Sequence, residues 1–315
     1  MLLVLSVPSV KDSYYKKHFK KMVDFYIAYA NAIIGKDDVI ILTDKATMPY
    51  MVGRVPNEIL LVVEQHLDAW IRDFSPVLSN KSIQFKYYGG INAKEAKFIQ
   101  KQFNAFLDKY EIEYTKIDLV NDGGNIVYNG NNCVITTDKF LELNNLTEAD
   151  GVKALSDVLK VEHVIVLPAD DEKLGHIDGM CSFVNEKTLF LLKYEDDEKF
   201  RSKIKVTLEK CLPKDIVIKE IECGESCSKA KGGFVSSYGL YVNCVPTEHF
   251  IYIPIFGNAL DNYAMKEFQH YASGKECVFV DARNVCDLGG SLRCLSWQVS
   301  GKNAEKLINA AKNES

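Results

Sequence analysis

Short apolar runs alternate with amphipathic segments along the whole chain. Runs of roughly four to eight apolar residues bounded by turns predict buried strands, and apolar residues at intervals of three and four predict amphipathic helices. The predicted strands are 1–8, 38–42, 59–63, 115–120, 133–136, 164–168, 189–192, 216–221, 250–255 and 277–281. The predicted helices are 11–34, 92–110, 147–160, 197–211, 261–271 and 303–312. Asn92 and Glu95 have the spacing of a helix-capping pair.

This alternation predicts an α/β protein, and no linker-like segment divides it, so we expect a single domain over residues 1–315. The strand–helix–strand rhythm recurs often enough to suggest several similar units around one axis. Periodicity by itself is equally compatible with a doubly wound open sheet. Neither G-x-G-x-x-G nor G-x-x-x-x-G-K-[ST] occurs, so the sequence gives no support to a nucleotide-binding fold.

Composition narrows the possible partners and location. The formal net charge of −5 disfavours a nucleic-acid surface, and no apolar run approaches the length of a membrane span. The apolar N-terminal segment lacks a basic start and ends at Pro8, which disfavours a signal peptide. Nine cysteines have no regular spacing, and Cys223 and Cys227 have no second pair that would complete a zinc site. We therefore expect a reduced, cytoplasmic protein with no nucleic-acid or membrane partner.

Polar residues concentrate where predicted strands end, which is where α/β proteins usually place their chemistry. Four such segments are 68–73, 122–125, 175–178 and 289–294. Each also has an ordinary structural interpretation. Arg72 and Asp73 suit a solvated surface pair, Asp122-Gly123-Gly124-Asn125 suits a tight turn, and Cys294 suits a small buried hydrophobe. A structural role is likewise the default for His176, although alternation along an extended segment would place it on the same face as Asp178.

The combination of these segments favours a chemical site over four separate structural features. The set consists of a thiol, a histidine, three carboxylates and an indole, namely Cys294, His176, Asp73, Asp122, Asp178 and Trp70. Two carboxylates form a fork for a planar guanidinium, on which an indole can stack. A histidine held by a third carboxylate can transfer protons, and a thiolate can attack the guanidinium carbon. The same spacing also describes a thiol protease that uses Cys294 and His176.

In order and spacing, five motifs together resemble the agmatine deiminase and bacterial-type peptidyl-arginine deiminase family of guanidino-modifying enzymes. The motifs are Trp70-Ile71-Arg72-Asp73 with Pro76 (W-x-R-D-x-x-P), the aromatic-glycine segment 85–90, Asp122-Gly123-Gly124-Asn125 (E-G-G-N), Gly175-His176-Ile177-Asp178 (G-H-x-D) and Gly289-Gly290-Ser291-Leu292-Arg293-Cys294 (G-G-G-x-H-C). The resemblance covers almost the whole chain.

The resemblance implies the pentein fold, with five ββαβ-type units around a pseudo-fivefold axis and the active site in the central channel. It implies that Cys294 is the nucleophile, that His176 is the general acid and base, and that Asp122 orients His176. Asp73 and Asp178 then bind the guanidinium. No metal or organic cofactor is implied, the partner is a small cationic guanidino substrate, and a homo-oligomer is possible.

Two departures from the family pattern affect the site. Asp122 is one methylene shorter than the family's glutamate, so a longer or water-bridged contact with His176 is expected. Arg293 stands where the family usually has histidine. Its charge would either favour the Cys294 thiolate or bind a substrate carboxylate, so Arg293 is counted here with Trp70 as a candidate substrate contact.

The leading hypothesis is an agmatine deiminase that converts agmatine and water to N-carbamoylputrescine and ammonia. The second is a deiminase of free or peptidyl arginine, which forms citrulline. The third is a catalytically silent pentein that acts as a binding protein, although chemically competent residues occupy all five core positions, which argues against it.

Overall fold

A computed structural model describes residues 1–64, 67–223 and 233–314 of the chain. Cys227, which the sequence analysis considered as a zinc ligand, lies outside these residues, as does His66. None of the helices within these ranges combines the length and the apolar character that a membrane span requires.

The strands of the described residues form five separate sheets. They are β1 Leu2–Ser6, β2 Asp38–Asp44, β3 Leu60–Val63, β4 Ile83–Lys86, β5 Thr115–Val120, β6 Val127–Tyr128, β7 Cys133–Thr137, β8 His163–Leu167, β9 Cys181–Asn185, β10 Thr188–Leu192, β11 Val217–Ile221, β12 Val245–Pro246, β13 Phe250–Ile255, β14 Glu276–Asp281 and β15 Ser296–Val299. The α-helices between them are α1 Phe19–Ile33, α2 Ile71–Phe74, α3 Ala93–Lys109, α4 Lys139–Asn144, α5 Glu148–Leu159, α6 Glu198–Cys211, α7 Asp261–Tyr271 and α8 Gly301–Glu314.

The sheets repeat one unit. In each of the sheets β6-β7-β8, β9-β10-β11 and β12-β13-β14, the first two strands are antiparallel. One or more helices follow them, and the third strand then runs parallel to the second strand. In the remaining unit, β4 and β5 are parallel and are joined by helix α3, as in the other units. Its first strand is reduced to a single antiparallel bridge between Val77 and Ile83. Five ββαβ-type units therefore confirm the α/β class and the fold that the resemblance implied, and they exclude one open doubly wound sheet.

The first unit is completed by the C-terminal part of the chain. β15 pairs antiparallel with β1, with Leu2 opposite Val299 and Leu5 opposite Ser296. β1 in turn runs parallel to β2, and β2 runs parallel to β3. Because β15 follows directly after Cys294, this pairing fixes the candidate nucleophile to the first sheet.

An aromatic cluster anchors the short helix α2, which carries Asp73. Phe74 packs edge-on against Phe103 of α3, with ring centroids 5.1 Å apart, and Phe103 packs in the same way against Trp297 of β15 at 5.4 Å. The Trp297 indole N–H donates to the carbonyl oxygen of Pro76 over 3.1 Å. A fully buried aromatic side chain of this kind contributes about 1.5–3 kcal/mol of burial energy, so α2 is held firmly despite its four residues.

Helix boundaries show where the sequence interpretation was right and wrong. The capping pair is confirmed, because Asn92 accepts a hydrogen bond from the backbone N–H of Glu95 over 2.9 Å at the start of α3. The predicted helix 11–34 begins only at Phe19. Asp12 accepts a hydrogen bond from the N–H of Tyr14, which holds residues 11–18 in turns instead.

Several short elements were absent from the sequence prediction. They are β4, β6, β9, β12, β15, α2 and α4. The two-residue strands leave no measurable alternation, and buried polar residues such as Gln84 interrupt the apolar pattern of the others.

Gly123 offers a direct test of how the first two units fit together. A Cβ atom at this position would collide with the backbone carbonyl oxygen of Arg72, so the turn after β5 and helix α2 would have to move apart. We expect Gly123→Ala to lower the free energy of unfolding by about 1–3 kcal/mol, measured by urea denaturation. Gly179→Ala is the matched control, because its nearest neighbour lies 3.9 Å away. Equal stability of the two variants would contradict this packing.

Candidate active site

One cavity of about 950 Å³ is lined by five of the predicted site residues, Trp70, Asp73, His176, Asp178 and Cys294, and segments next to all five sheets contribute to it. Asp122 is not a lining residue and contacts the cavity through His176. Trp70 and Asp73 follow β3, Gly89 follows β4, and His176 follows β8. Lining residues from the fourth and fifth units and the turn before β15 are Leu192, Lys193, Asn243, Gly290 and Cys294. The structure thus brings the four polar segments 68–73, 122–125, 175–178 and 289–294 to one cavity, with Asp122 of the second segment in contact through His176.

Cys294 lies in a turn directly before β15, and the turn depends on glycine. Gly289 adopts φ +107°, a conformation that L side chains rarely adopt. A Cβ atom on Gly290 would lie 2.6 Å from the ring of Trp70 and 3.0 Å from the Cys294 Sγ. The absence of a side chain at Gly290 thus allows the Trp70 indole to lie next to the thiol, where it can pack against a bound guanidinium.

Asn243 is a site residue that the sequence analysis missed. Its side-chain nitrogen is 3.3 Å from the Cys294 Sγ and donates to the carbonyl oxygen of Asp178 over 3.2 Å. Its side-chain oxygen accepts from the Ser291 hydroxyl and from the backbone N–H of Arg293, over 3.0 and 3.2 Å. Asn243 therefore connects the turn that carries Cys294 to the turn that carries Asp178. The signal in the sequence is an amide side chain directly after the apolar pair Tyr241-Val242.

His176 lies between two carboxylates. Its Nε2 is 3.1 Å from the Asp122 Oδ2, and its Nδ1 is 3.7 Å from the Asp73 Oδ1. Asp122 also accepts hydrogen bonds from the backbone N–H groups of Tyr88 and Gly89. The expectation of a longer or water-bridged contact between Asp122 and His176 is therefore wrong, because the backbone turn brings the shorter carboxylate within direct reach.

Asp178 reaches the cavity from a tight turn. Residues Ile177–Gly179 form a 3-10 turn, so the extended alternation used to place His176 and Asp178 on one face is the wrong reason. Both side chains nevertheless line the cavity. The Asp178 Oδ2 lies 3.9 Å from the Cys294 Sγ. On the other side of the cavity, the backbone N–H of Gly124 donates to the Asp73 Oδ1 over 3.1 Å.

Two arginines, Arg72 and Arg293, are buried next to the site but are not among the described residues that line the cavity. Arg72 is only 4% exposed and donates to the carbonyl oxygen of Arg293 and to Gln298, so its interpretation as part of a solvated surface pair is wrong. Arg293 is also buried, and its Nη2 donates to the carbonyl oxygen of Ile126 over 2.8 Å. Arg293 is not among the described residues that line the cavity, so the structure gives no support to a direct substrate contact by its guanidinium, and that role stays a prediction.

Burial and neighbouring charge set the resting protonation of the site. Burial raises the pKa of the Cys294 thiol well above its usual range, and the carboxylates of Asp178 and Asp73 raise it further. Burial alone would lower the pKa of His176, but the carboxylates of Asp73 and Asp122 outweigh it and raise that pKa to about 10. At neutral pH the free site therefore favours a neutral thiol beside an imidazolium.

The rest of the cavity lining is strongly acidic. Among the described lining residues there are nine carboxylates, two lysines and no arginine. The carboxylates are Asp12, Asp68, Asp73, Glu95, Asp170, Asp171, Asp178, Glu195 and Asp196. The Lys193 Nζ already pairs with Glu195 over 2.6 Å, and the Lys173 Nζ lies 3.8 Å from the centroid of the Phe234 ring. This lining favours a ligand with more than one positive charge.

Comparisons with known proteins agree with this geometry. A family model described as Porphyromonas-type peptidyl-arginine deiminase matches residues 2–300. The agmatine deiminase of Pseudomonas aeruginosa strain LESB58 is 26% identical, and the alignment covers 87% of this chain and 86% of the relative. In three dimensions, the C. jejuni agmatine deiminase superposes with a TM-score of 0.79 at 19% identity over 95% of this chain and 92% of its own. A cysteine-to-serine variant of the C. jejuni enzyme with substrate bound gives a TM-score of 0.76 at 18% identity, with the same coverage of both chains. The structural likeness shows the shared fold, and since the family model spans nearly the entire sequence, this chain belongs to the Porphyromonas-type peptidyl-arginine deiminase family.

Proposed function

We propose that this protein hydrolyses the guanidinium group of agmatine, releasing ammonia and N-carbamoylputrescine through a covalent intermediate on Cys294. The observation that carries the proposal is the cavity itself. It joins a thiol, a histidine and two carboxylates to an acidic lining that contains no arginine among the described residues. Relatives named agmatine deiminases support the same reaction.

Substrate binding prepares the nucleophile in this proposal. The guanidinium lies between Asp73 and Asp178, over the Trp70 ring, and its positive charge offsets the two carboxylates that raise the thiol pKa. The thiol then loses its proton to solvent, and the thiolate attacks the guanidinium carbon. His176, present as the imidazolium, donates a proton to the departing nitrogen, which leaves as ammonia.

The second half of the reaction regenerates the enzyme. After ammonia leaves, Cys294 carries a cationic amidino-thioether and His176 is neutral. His176 removes a proton from water, and the resulting hydroxide adds to the amidino carbon. The tetrahedral adduct expels the thiolate and loses its hydroxyl proton to the released ammonia, which leaves the ureido product and ammonium. When the product leaves, the Cys294 thiolate takes a proton back from solvent, which restores the resting thiol beside the His176 imidazolium.

Charge in the cavity favours agmatine over arginine. Agmatine carries a second positive charge on its amine, which the carboxylates of the lining attract, whereas arginine carries a carboxylate that those groups repel. Both lysines of the described lining are engaged, Lys193 with Glu195 and Lys173 with the Phe234 ring, so neither is well placed to receive a substrate carboxylate.

We expect ammonia release from agmatine at a kcat/KM at least about a hundredfold above that for free arginine, because placing a like charge against the acidic lining costs several kcal/mol. A blocked arginine peptide should also react more slowly than agmatine, because it lacks the second positive charge. The measurement compares the three substrates side by side. Cys294→Ser is the control and should lose turnover while keeping its thermal unfolding temperature. A preference for arginine or the peptide would contradict the assignment of agmatine. Ammonia release by the Cys294→Ser variant would contradict the role of Cys294.

The affinity for agmatine should depend on pH in a defined direction. Burial raises the pKa of the Asp73 carboxyl to about 7, so this group loses its proton as the pH rises through that value. His176 stays charged over the same range. Titration calorimetry on the Cys294→Ser variant should therefore show affinity that increases roughly tenfold from about pH 6 to about pH 8 and then levels off. An affinity that is constant over this range would contradict a binding role for Asp73.

A further inference from the structure

Arg293 is buried next to Cys294 in sequence, yet it is not among the described residues that line the cavity. The residue is 8% exposed. Its backbone N–H donates to the Asn243 side chain over 3.2 Å, and its Nη2 donates to the carbonyl oxygen of Ile126 over 2.8 Å. The first bond holds the backbone of Arg293 and the second holds the end of its side chain, so together they determine the direction in which the guanidinium points.

That direction is toward the back of Asp178. The Arg293 Nε lies 3.5 Å from the Asp178 Oδ2, and this Nε is a buried nitrogen that has no hydrogen-bond partner among the described residues. Asp178 is itself only 2% exposed. A buried carboxylate keeps its charge only when a neighbouring cation compensates for the loss of water.

Several other groups surround the Asp178 carboxylate. They are Arg72, His176, Asp73, Cys181 and Cys294. Among the described residues, Arg293 is the one cationic side chain with a nitrogen within 4.0 Å of the Asp178 carboxylate. His176 is held instead between Asp122 and Asp73, and Arg72 donates to the carbonyl oxygen of Arg293 and to Gln298.

We propose that Arg293 is a positioning residue that keeps Asp178 ionised, so that the carboxylate is held from behind by Arg293 while the substrate guanidinium binds it from the cavity. The inference rests on the proposed guanidine chemistry of the same site. It assigns Arg293 to neither of the roles that its sequence position suggested, because it acts on the carboxylate that binds the guanidinium and not on the thiol or on a substrate carboxylate.

The proposal has a consequence that simple structural support would not have. Burial raises the pKa of Asp178, and Arg293 is the strongest influence that lowers it. Without the arginine, Asp178 would hold its proton to higher pH, because the loss of an adjacent opposite charge raises the pKa of a carboxyl group. Guanidine binding would then be weak at neutral pH and recover when the solution is alkaline enough to ionise Asp178.

The first test measures agmatine affinity against pH in the Cys294→Ser background, with and without Arg293→Gln. We expect Arg293→Gln to weaken agmatine binding roughly tenfold or more near neutral pH. The pH at which affinity falls on acidification should rise by at least about one unit, and affinity should recover above that pH. Arg293→Lys should restore much of the neutral-pH affinity, because it retains the charge. Arg54→Gln, which alters a surface ion pair with Asp24, is the control for loss of an arginine. A uniform loss across pH would overturn the proposal.

The second test does not depend on ligand binding. Removing either member of the Asp178–Arg293 pair leaves the other charge buried and uncompensated, so Asp178→Asn and Arg293→Gln should each lower the thermal unfolding temperature. The double variant should lose clearly less than the sum of the two single losses. If the decrease in unfolding temperature of the double variant equals the sum of the two single decreases, the proposed coupling between Asp178 and Arg293 is overturned. If no variant binds agmatine but the coupling is present, the proposed substrate fails while the role of Arg293 stands.

Discussion

The site depends on two carboxylates that share a buried space with a thiol. Asp73 and Asp178 are both removed from water, and each raises the pKa of Cys294. Their negative charge is only partly compensated, by His176 beside Asp73 and by Arg293 behind Asp178. The missing positive charge is the one that a guanidinium would bring. In the proposed reaction, the substrate cation completes the electrostatics of the cavity and at the same time makes the nucleophile available.

The fold supplies the precision that this arrangement requires. Each of the five ββαβ-type units delivers one or more loops to the same cavity. α2 is anchored through Phe74 and Phe103, so that Asp73 is held on a rigid element. Asn243 ties the Cys294 turn to the Asp178 turn, and Gly290 leaves space for Trp70 beside the thiol. Small changes at these positions would displace reacting groups whose mutual distances determine the chemistry.

Much of the fold could be predicted from the sequence, because strands such as β1 and β13 are continuous apolar runs and helices such as α3 have a clear inner face and cap. The sequence motifs also indicated the right group of side chains, since Cys294, His176, Asp73, Asp122 and Asp178 all lie in or against one cavity. The strand β12 could not be predicted because two residues leave no alternation to recognise, and β15 could not be predicted because it forms by pairing with β1 at the other end of the chain. The direction of the Arg293 side chain was equally inaccessible, since it depends on the carbonyl of Ile126, which is remote in sequence.

The most direct test of this account is a pH titration of thiolate ultraviolet absorbance, taken as the difference between the wild-type protein and the Cys294→Ser variant. Burial and the two carboxylates raise the pKa of Cys294, so the account predicts no thiolate signal in the free enzyme at neutral pH. The signal should emerge only in alkaline solution, and Asp178→Asn should bring it to lower pH because one of the carboxylates that oppose the thiolate is then neutral. A full thiolate signal at neutral pH in the free enzyme would contradict the claim that the substrate cation activates the nucleophile.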